Sequence, residues 1–351
     1  MSANKAQRDM IMSEKHNHRR WNGQPGHYEV WYLTTNHRAS ETGFWIRYTV
    51  EAPLPGKGEP EAGLWFAFFD ARDPARNLAM RQLLPADAMT ATTGPFAVSI
   101  GESQLTNGSA RGSLAGGGHQ ARWDLSWRPS PTTHLTLPSL MYRRGGLGET
   151  TVLAPNLAVA MSGAITVDDR TFELDAEPGG QTHLWGRKHA YSWAWGHCNA
   201  FAGHPGAAIE MLSVRLFRAG RVLPPLTILT LYLDGEVYRF NEFRHVVLNR
   251  AEYGTGYFGF SATGPRVRIQ GQFSCRPRDM VTAPYVDPDG EPSWCANTEV
   301  ADLRLSVDRR VGLGRWHEHA FIEAPRCGHF EVGGRTRDPA ITGEYSTFGG
   351  H

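Results

Sequence analysis

The side chains best suited to chemistry are concentrated in one stretch of the chain, residues 187–201. Read with the two-residue repeat of a β-strand, this stretch has two unequal faces. One face is small apart from Lys188, and the other carries the large or hydrogen-bonding groups: Arg187, His189, Tyr191, Trp193, Trp195, His197, Asn199 and Phe201. Such side chains combine an apolar body with a polar tip. The pattern predicts a strand that forms one wall of an apolar ligand site, with its small face closely approached by another element.

The aromatic face has a second interpretation. Trp193 and Trp195 would fill a seam between two β units, and His189 and His197 would be core residues with satisfied hydrogen bonds. Aromatic seams are common, and a single strand does not distinguish a filled seam from a cavity. The filled-seam interpretation predicts no cavity larger than a few water molecules between the β units.

Glu210 is a candidate general acid. Residues 207–216 have the pattern of the next strand, and Glu210 falls on an otherwise apolar face of it. Desolvation disfavours the charged form of an unpaired carboxylate, so Glu210 is predicted to keep its proton near neutral pH. The alternative is an ion pair with Arg187 or Arg215.

Two other aromatic-rich segments supply candidate ligand contacts. Trp45 lies in an alternating segment, residues 44–51, where Arg47 is a weaker candidate. Trp65 lies in the run that ends at Asp70, which is predicted either to face the ligand or to close a turn at the strand end. The predicted substrate contacts are Trp193, Trp195, His189, Asn199, Phe201, Trp65, Trp45 and Asp70.

A zinc site is a weaker hypothesis. His317 and His319 share one face of a predicted strand, and Cys327 and His329 repeat that spacing beyond a predicted turn. Four nitrogen and sulfur ligands would suffice for a structural zinc ion, but known zinc motifs use wider spacings. A polar strand face explains the four residues more simply, and no metal is predicted.

The elements that must position these groups are β-strands. Two-residue alternation recurs along the chain, including residues 44–51 and 121–128, whereas the only helix candidate is weak, at residues 74–84. Asp168-Asp169 and Asp234-Gly235 separate pairs of such runs and predict hairpin turns. The sequence therefore predicts an all-β fold of antiparallel sheets.

The chain length of 351 residues is sufficient for two β units. A Pro/Ser/Thr-rich passage precedes a predicted boundary, which gives an N-terminal β domain at residues 21–145 and a C-terminal β domain at residues 155–335. Residues 1–20 and 336–351 are predicted to be flexible.

Composition limits the classes of partner. The 36 Lys and Arg nearly balance 35 Asp and Glu, so the net charge of +1 does not predict nucleic-acid or acidic-lipid binding. A hydrophobic fraction of 40% excludes wholesale disorder, and the 11 Trp offer more flat apolar surface than one core usually needs. We find neither a signal-peptide run nor the ~18 apolar residues of a membrane helix. The protein is predicted to be soluble and cytoplasmic, with its four cysteines reduced.

One part of the chain resembles a known family. Residues 163–186, which include Asp168-Asp169, and the aromatic motif from His189 to Phe201 are similar to the second-domain core of the hydroxyneurosporene synthase (carotenoid 1,2-hydratase)-like proteins. Tocopherol cyclases and lipocalin-like Diels–Alderases are similar in this region. The resemblance implies two lipocalin-like antiparallel β-barrels or half-barrels packed together, with an apolar site at or near their junction. It also implies chemistry on polyene or isoprenoid substrates without an organic cofactor.

The residues and the resemblance together predict a cofactor-independent enzyme that acts on an apolar isoprenoid or polyene substrate. A donor among His197, Glu210 and Tyr191 would protonate a double bond, and cyclisation or hydration would follow. Trp193 and Trp195 would stabilise the developing positive charge. The alternatives are a pericyclase of the Diels–Alderase type, which only holds a folded conformer, and a non-catalytic lipid or polyene carrier. Transient membrane contact is predicted for substrate delivery.

Overall fold

The structure is a computed structural model that describes residues 14–143, 148–312 and 314–349. Over these residues the fold is almost entirely β, as predicted. The two short helices are α1 (Ser139–Arg143) and α2 (Phe243–Val246). The strands are β1 (His27–His37), β2 (Thr42–Ala52), β3 (Glu61–Asp70), β4 (Leu78–Pro85), β5 (Met89–Thr93), β6 (Phe96–Ile100), β7 (Ser103–Thr106), β8 (Ser109–Gly116), β9 (His119–Trp127), β10 (His134–Leu135), β11 (Thr150–Val167), β12 (Arg170–Gly186), β13 (Ser192–Cys198), β14 (Ala208–Arg215), β15 (Phe217–Arg218), β16 (Arg221–Val222), β17 (Leu226–Leu233), β18 (Glu236–Phe240), β19 (Arg250–Gly254), β20 (Tyr257–Thr263), β21 (Val267–Ser274), β22 (Val281–Val286), β23 (Pro292–Val311), β24 (Arg315–Gly334), β25 (Gly343–Glu344) and β26 (Ser346–Gly349).

Local sequence signals explain much of this pattern. The predicted hairpin turns are present, with Asp168 and Asp234 in the left-handed region at φ 52° and 51°. The weak helix candidate at residues 74–84 is wrong. A single 3₁₀ turn, Pro74–Arg76, leads directly into β4, which pairs with β3 because sheet formation buries its apolar side chains.

Apart from the two-stranded β15–β16 hairpin, the described strands form two large curved sheets. The first has the order β26-β4-β3-β2-β1-β12-β11-β9-β8-β7-β6-β5, with β10 paired to β11. The second has the order β18-β17-β14-β13-β24-β23-β21-β20-β19, with β22 paired to β23 and β25 paired to β22. The first sheet curls until β3 and β4 contact β8 across its own core. Together the sheets are the two lipocalin-like half-barrels that the fold prediction describes.

Strands β1 to β3 are buried on both faces. Trp31, Phe44 and Phe66 point into the core of the first half-barrel. The alternate side chains, which the 44–51 pattern presents as a polar face, are covered instead by the second half-barrel. Because β2 and β3 have a half-barrel on each side, Trp45, Arg47 and Trp65 lie in the junction between the two sheets.

Strand β13 of the second sheet likewise lies between the core of its own half-barrel and the junction. Its small side chains face the core of the second half-barrel, where a Cβ on Gly196 would lie only 2.5 Å from the ring of Phe273. The predicted close approach to this face is therefore present. Trp193 and Trp195 point the other way, into the junction.

The passage between the two sheets differs from the predicted domain boundary. Strands β11 and β12 belong to the first sheet, so the chain crosses between sheets after Gly186 and not near residues 145–155. The pairing of β12 with β1, which aligns Gly186 with Tyr28, keeps β12 in the first sheet. Local composition gives no sign of this long-range pairing.

The predicted flexible ends are packed where the structure describes them. Asn17 is fully buried, accepts a hydrogen bond from Gln181 and donates one to Asn107. Ile341 and Tyr345 are buried, and β26 pairs with β4. The rest of both predicted segments, residues 1–13 and 350–351, lies outside the described residues. No helix among the described residues is long and apolar enough to cross a membrane.

Candidate active site

A cavity of about 620 Å³ lies at the junction of the two half-barrels. We call it the junction cavity. The first sheet contributes β1, β2, β11 and β12, the second contributes β13, β14, β17, β22 and β24, and α1 and α2 lie along its sides. Its lining includes Tyr28, Val30, Tyr32, Trp45, Arg47, Leu137, Met141, Val152, Leu184, His189, Trp193, Trp195, Leu212, Val214, Leu226, Ile228, Phe243, Val247, Tyr285 and Glu331. This volume is in the range of small-molecule sites, so the junction is not simply a filled seam.

The predicted aromatic wall is part of this cavity. Trp193 and Trp195 both line it, and they are 6% and 7% exposed. Trp195 packs edge-on against Tyr32 of the first sheet, with ring centroids 5.6 Å apart. Trp193 and Trp195 therefore fit both interpretations of the sequence. They pack in the seam between the half-barrels, and they also line the cavity there.

His189 is hydrogen-bonded to Asp287 beside the cavity. Its Nδ1 donates to Asp287 Oδ1 over 2.6 Å, and the backbone N–H of His189 donates to the same oxygen over 2.9 Å. Burial opposes the charge of Asp287, but His189 and Arg335 hold the pKa of that carboxyl below its usual value. The ring of His189 is stacked on Tyr28 at 4.5 Å and packs near Trp193.

This geometry gives His189 the features of an acid–base group. The Asp287 carboxylate accepts a hydrogen bond from Nδ1 and so orients the ring, as in other aspartate–histidine pairs. Among the described residues Nε2 has no hydrogen-bond partner, so it is the nitrogen available to a ligand. The sequence pattern placed His189 in the site as a ligand contact, but Asp287 lies 98 positions away and carries no local signal.

Arg47 is a charged group enclosed by aromatic rings. It is 3% exposed, and its guanidinium lies 4.6 Å from the Tyr285 ring centroid, 4.8 Å from that of Trp65 and 5.6 Å from that of Trp45. Nη1 donates to the Tyr285 hydroxyl over 2.5 Å. Nε is buried and has no hydrogen-bond partner among the described residues. No carboxylate there lies within 4 Å of Arg47, although Glu51 and Glu331 attract it over longer distances.

Glu331 supplies a carboxylate to the lining of the junction cavity. Trp193 Nε1 donates to Glu331 Oε1 over 2.5 Å, so part of its hydrogen-bonding capacity is already used. Glu331 follows from the register, because it is paired directly with Trp195 across β13 and β24. Sequence reasoning missed it, because the adjacent Phe330 packs in the second core and nothing in the local sequence indicates that the opposite face of β24 lines a cavity.

Glu210 does not have the environment predicted for it. It lies beneath Trp195, outside the cavity lining, and its carboxylate is 2.7 Å from Nε2 of His134. Thr136 donates a further hydrogen bond of 2.8 Å. Burial alone would raise the pKa of Glu210, but His134, Thr136 and His197 lower it overall. Glu210 is therefore a paired carboxylate rather than a general acid, and its partner is neither predicted arginine.

The predicted proton donor His197 lies in the same buried layer. Burial lowers its pKa to about 4, despite the opposing effect of Glu210, so its imidazole is neutral at pH 7. His329 is its neighbour on β24, with ring centroids 5.2 Å apart, and burial lowers the pKa of His329 as well. Neither ring lines the junction cavity. A neutral imidazole is a poor acid, so these residues do not support the predicted role of His197.

The raised carboxyl pKa predicted for Glu210 is found instead at Glu299. Burial and the neighbouring Glu331 raise the pKa of Glu299 well above its usual value. Its side chain contacts His329. The pairing of β23 with β24 is irregular between Thr298 and Ala301. A strict two-residue repeat therefore does not predict which face of β23 carries Glu299.

The predicted proton donor Tyr191 and the predicted contacts Asn199 and Phe201 lie outside the cavity lining. Tyr191 packs on Phe217 and faces a different pocket, because the strand alternation begins only at Ser192. Asn199 donates to the carbonyl of Gly179, and Phe201 is part of the second core.

The two candidates from β3 have structural roles. Trp65 forms one side of the aromatic enclosure of Arg47. Asp70 accepts hydrogen bonds from the backbone of Arg72 and Asp73 and pairs with Arg170 at 3.2 Å. It is the strand-end turn residue of the alternative interpretation.

The four residues of the zinc hypothesis are separated. His317 and His319 are exposed near the tip of the β23–β24 hairpin, whereas His329 is fully buried in the junction. Ten residues of extended strand span roughly 33 Å. In the part of the chain that the structure describes, no group of three or more potential ligands could hold a metal ion. All four cysteines are free thiols.

An apolar rim marks one side of the cavity. Phe243 and Val247 line the cavity and are also 50% and 71% exposed, and Leu248 beside them is 67% exposed. These three residues form the apolar rim. Arg218 lies on the same opening and pairs with Glu149 at 3.1 Å.

Comparison with known proteins places the chain in a family. Residues 97–334 match the family model described as tocopherol cyclase-like. This match covers more than half of the chain, and the chain belongs to the tocopherol cyclase-like family. The predicted resemblance is thereby confirmed.

Individual relatives are more distant. The uncharacterized proteins MT0513 and Rv0493c of Mycobacterium tuberculosis, from strains CDC 1551 / Oshkosh and ATCC 25618 / H37Rv, are each 28% identical over 330 residues, which is 92% of this chain and 91% of theirs. A putative AttH from Nitrosomonas europaea has a similar structure, with a TM-score of 0.52, 14% identity and coverage of 88% of this chain and 93% of its own. CghA, solved with Sch210972, has a TM-score of 0.50, 10% identity and 88% coverage of both chains. The likeness to these structures concerns the fold.

Proposed function

We propose that this protein is an enzyme of the cyclase or hydratase type that acts on an apolar isoprenoid or polyene substrate in the junction cavity. The family membership supports the general class. The observation that carries the proposal is the His189–Asp287 pair on the wall of an aromatic cavity, because it combines a proton-transfer group with an apolar binding space.

The proposed reaction adds an O–H group across a carbon–carbon double bond. The oxygen forms a bond to one alkene carbon, the other carbon gains a proton, and the oxygen loses its own proton. His189 Nε2 would give a proton to one alkene carbon and, as the oxygen bonds to the other carbon, take the proton from that oxygen, while the Asp287 carboxylate keeps the ring oriented for both transfers. If the hydroxyl belongs to the substrate, the product is a ring. If it belongs to water, the product is an alcohol.

The aromatic walls have two further tasks in this proposal. Trp193, Trp195 and Tyr28 hold the substrate by apolar contact and present ring faces to positive charge, an effect worth about 0.5–2 kcal/mol for a well-placed ring. Exclusion of water from the cavity favours ring closure over hydration. No step in this scheme uses an organic cofactor.

We also propose that the apolar rim takes substrate from membranes. Phe243, Val247 and Leu248 are exposed beside the cavity opening, which gives an apolar molecule a path that avoids water. Exposed apolar groups at the mouth of a lipid-binding cavity are suited to brief insertion between lipid headgroups.

A solvent-isotope experiment tests the function. The protein is purified from its producing cells, ligands are identified by native mass spectrometry and extraction, and each is incubated with the protein in D₂O alongside a prenylated hydroquinone and an acyclic polyene. An O–H addition places one deuterium on carbon in the product. A pericyclic reaction changes the ligand without deuterium uptake, and a carrier returns it unchanged, so either result would reject the proposed reaction.

A further inference from the structure

A second pocket, of about 790 Å³, lies at one end of the second half-barrel. Its lining includes strand ends, because Ser192 begins β13, Arg215 ends β14, Gly254 ends β19 and Gly334 ends β24. We call it the barrel-end pocket. Among the described residues none lines both this pocket and the junction cavity, so the proposed function makes no use of it.

One side of the barrel-end pocket is apolar. Ala296 and Ile341 belong to the core of the second half-barrel, and Val332 packs against that core. Trp294 adds a flat ring to the same lining and is partly exposed. These side chains offer contact to the apolar body of an organic molecule, and the indole of Trp294 suits a planar one.

Arg215 supplies a cation to this pocket. Its side chain is partly exposed, and its guanidinium carbon lies 5.7 Å from the ring centroid of Tyr253. The hydroxyl of Tyr253 is held 3.1 Å from Oγ of Ser192, which fixes the ring across the end of the half-barrel. Tyr253 is also within hydrogen-bonding reach of Arg215, but a guanidinium has five N–H donors, so most of them stay available.

The charge of Arg215 is not balanced by a neighbouring acid. In the part of the chain that the structure describes, no carboxylate lies within 4 Å of its guanidinium. The other cation of the lining differs, since Arg337 pairs with Glu344 at 3.0 Å. Arg215 is therefore the cation in this pocket that is free to bind an anion.

Asp338 limits the charge of that anion. Its carboxylate accepts hydrogen bonds from the hydroxyl of Thr255 and, over 2.8 Å, from the backbone N–H of Ala340. These hydrogen bonds lower the pKa of Asp338, so it is negatively charged at neutral pH. A second negative group in the lining opposes a doubly charged ligand. A carboxylate carries a single charge and can accept two parallel hydrogen bonds from a guanidinium.

We infer that the barrel-end pocket is a second ligand site, which binds a small organic carboxylate. The carboxylate group lies on Arg215, and the apolar body packs against Trp294, Val332 and Ile341. Binding is reversible and involves no covalent step. The site operates independently of any reaction in the junction cavity.

Calorimetric titration of the full chain tests this site with two probes of one shape. The first probe, 2-naphthoate, is a planar carboxylate, and the second, 2-naphthamide, has the same ring system without the charge. Charge-assisted hydrogen bonds to Arg215 predict that the wild-type chain binds 2-naphthoate at least about 10-fold more tightly than 2-naphthamide. Inorganic phosphate lacks an apolar body and should bind more weakly than 2-naphthoate.

Three variants locate the carboxylate. Arg215→Gln should bring the affinities for 2-naphthoate and 2-naphthamide to within about 2-fold of each other. Arg215→Lys keeps the charge but loses the planar fork, so a preference of less than about 5-fold is expected. Val222→Asp places a negative charge in the lining at a residue that is 41% exposed, and it should weaken 2-naphthoate binding several-fold at low salt.

Arg187→Gln is the matched control. Arg187 is exposed, lines the junction cavity and has no carboxylate within 4 Å among the described residues. This variant should keep the wild-type preference for 2-naphthoate. A loss of preference in Arg187→Gln would place the carboxylate at the junction cavity and reject the second site.

Other results would also overturn the inference. Equal binding of the two naphthalene probes would exclude a carboxylate site, and phosphate binding as tight as that of 2-naphthoate would indicate an anion site without a role for the apolar side. A preference that persists in both Arg215→Gln and Val222→Asp would exclude this pocket. No binding of 2-naphthoate would reject the site altogether. All of these measurements are independent of turnover in D₂O, so the proposed enzyme and the second site stand or fall separately.

Discussion

His134 Nε2 lies 2.7 Å from Glu210 Oε2, and this buried pair joins the first sheet to the second. His134 belongs to β10, which pairs with β11, and Glu210 lies in the middle of β14. The other ring nitrogen of His134 is 3.0 Å from the hydroxyl of Tyr232 on β17. The pair therefore holds the segment around His134, which contains no long strand, against the strands that lie beneath the cavity.

Replacing Glu210 by Gln should lower the free energy of unfolding by about 3 kcal/mol, because His134 loses the buried carboxylate to which it is hydrogen-bonded. Urea denaturation of Glu210→Gln, His134→Gln and the double variant measures the coupling between the two residues. A coupling free energy of at least about 1 kcal/mol is expected. Additive effects would show that the two side chains do not stabilise each other.

Replacing His189 by Ala or Asp287 by Asn should reduce turnover at least about 100-fold, because either change removes the proposed proton transfer. Ligand affinity should change much less, since the aromatic walls remain. Tyr191→Phe is the control, because Tyr191 lies outside the junction cavity. Single-turnover kinetics and fluorescence titration separate the two effects, and full activity in His189→Ala would remove His189 from the mechanism.

The buried histidines predict a loss of stability in mild acid. The pKa of His197 is about 4 in the folded chain and ~6.5 in an unfolded one, so the unfolded state binds more protons between these values. Stability should therefore fall as the pH decreases through this window, by about 2 kcal/mol between pH 7 and 5 for His197. His329 contributes in the same direction, because its pKa is also lowered.

The histidine contribution is measured by comparing urea unfolding at pH 7 and pH 5. His197→Gln should show a smaller difference between the two pH values than the wild-type protein. His317→Gln should behave as wild type, since His317 is exposed. An unchanged pH dependence in His197→Gln would show that His197 is not the group that titrates.

Membrane contact by the apolar rim predicts binding to phosphatidylcholine vesicles. Sedimentation with vesicles should recover the wild-type protein and several-fold less of the Phe243→Ser/Val247→Ser double variant. Phe321→Ser is the control, because Phe321 is 55% exposed but does not line the cavity. Equal recovery of the two variants would show that the rim is not the contact.

The sequence was informative where neighbouring residues determine the structure. Alternation along 192–198 predicts β13 and the direction of Trp193 and Trp195, because a strand's side chains alternate whatever it packs against. The same rule places Glu210 on the junction side of β14. It does not supply the environment of Glu210, since His134 comes from a Pro-rich passage 76 positions earlier.

The polar groups of the cavity depend on contacts between distant strands. Arg47 is paired with Trp65 in the sheet and meets Tyr285 only because the second half-barrel covers β2. Asp287 reaches His189 through the end of β22. Neither relationship has a local pattern, so the sequence points to the cavity wall but not to the contacts that position these groups.

The parallel pairing of β26 with β4 limits how members of such a fold can be recombined. The chain completes the second sheet and then returns, so the edge strand of the first half-barrel comes from residues 346–349. Phe348 packs against the first core and lies where a Cβ on Gly116 would be. A hybrid that keeps residues 14–186 but lacks residues 346–349 would remove the present partner of β4 and leave an edge prone to aggregation. Exchange of substrate specificity between relatives would therefore require the second half-barrel to be moved as an internal insert that leaves both ends of the chain in place.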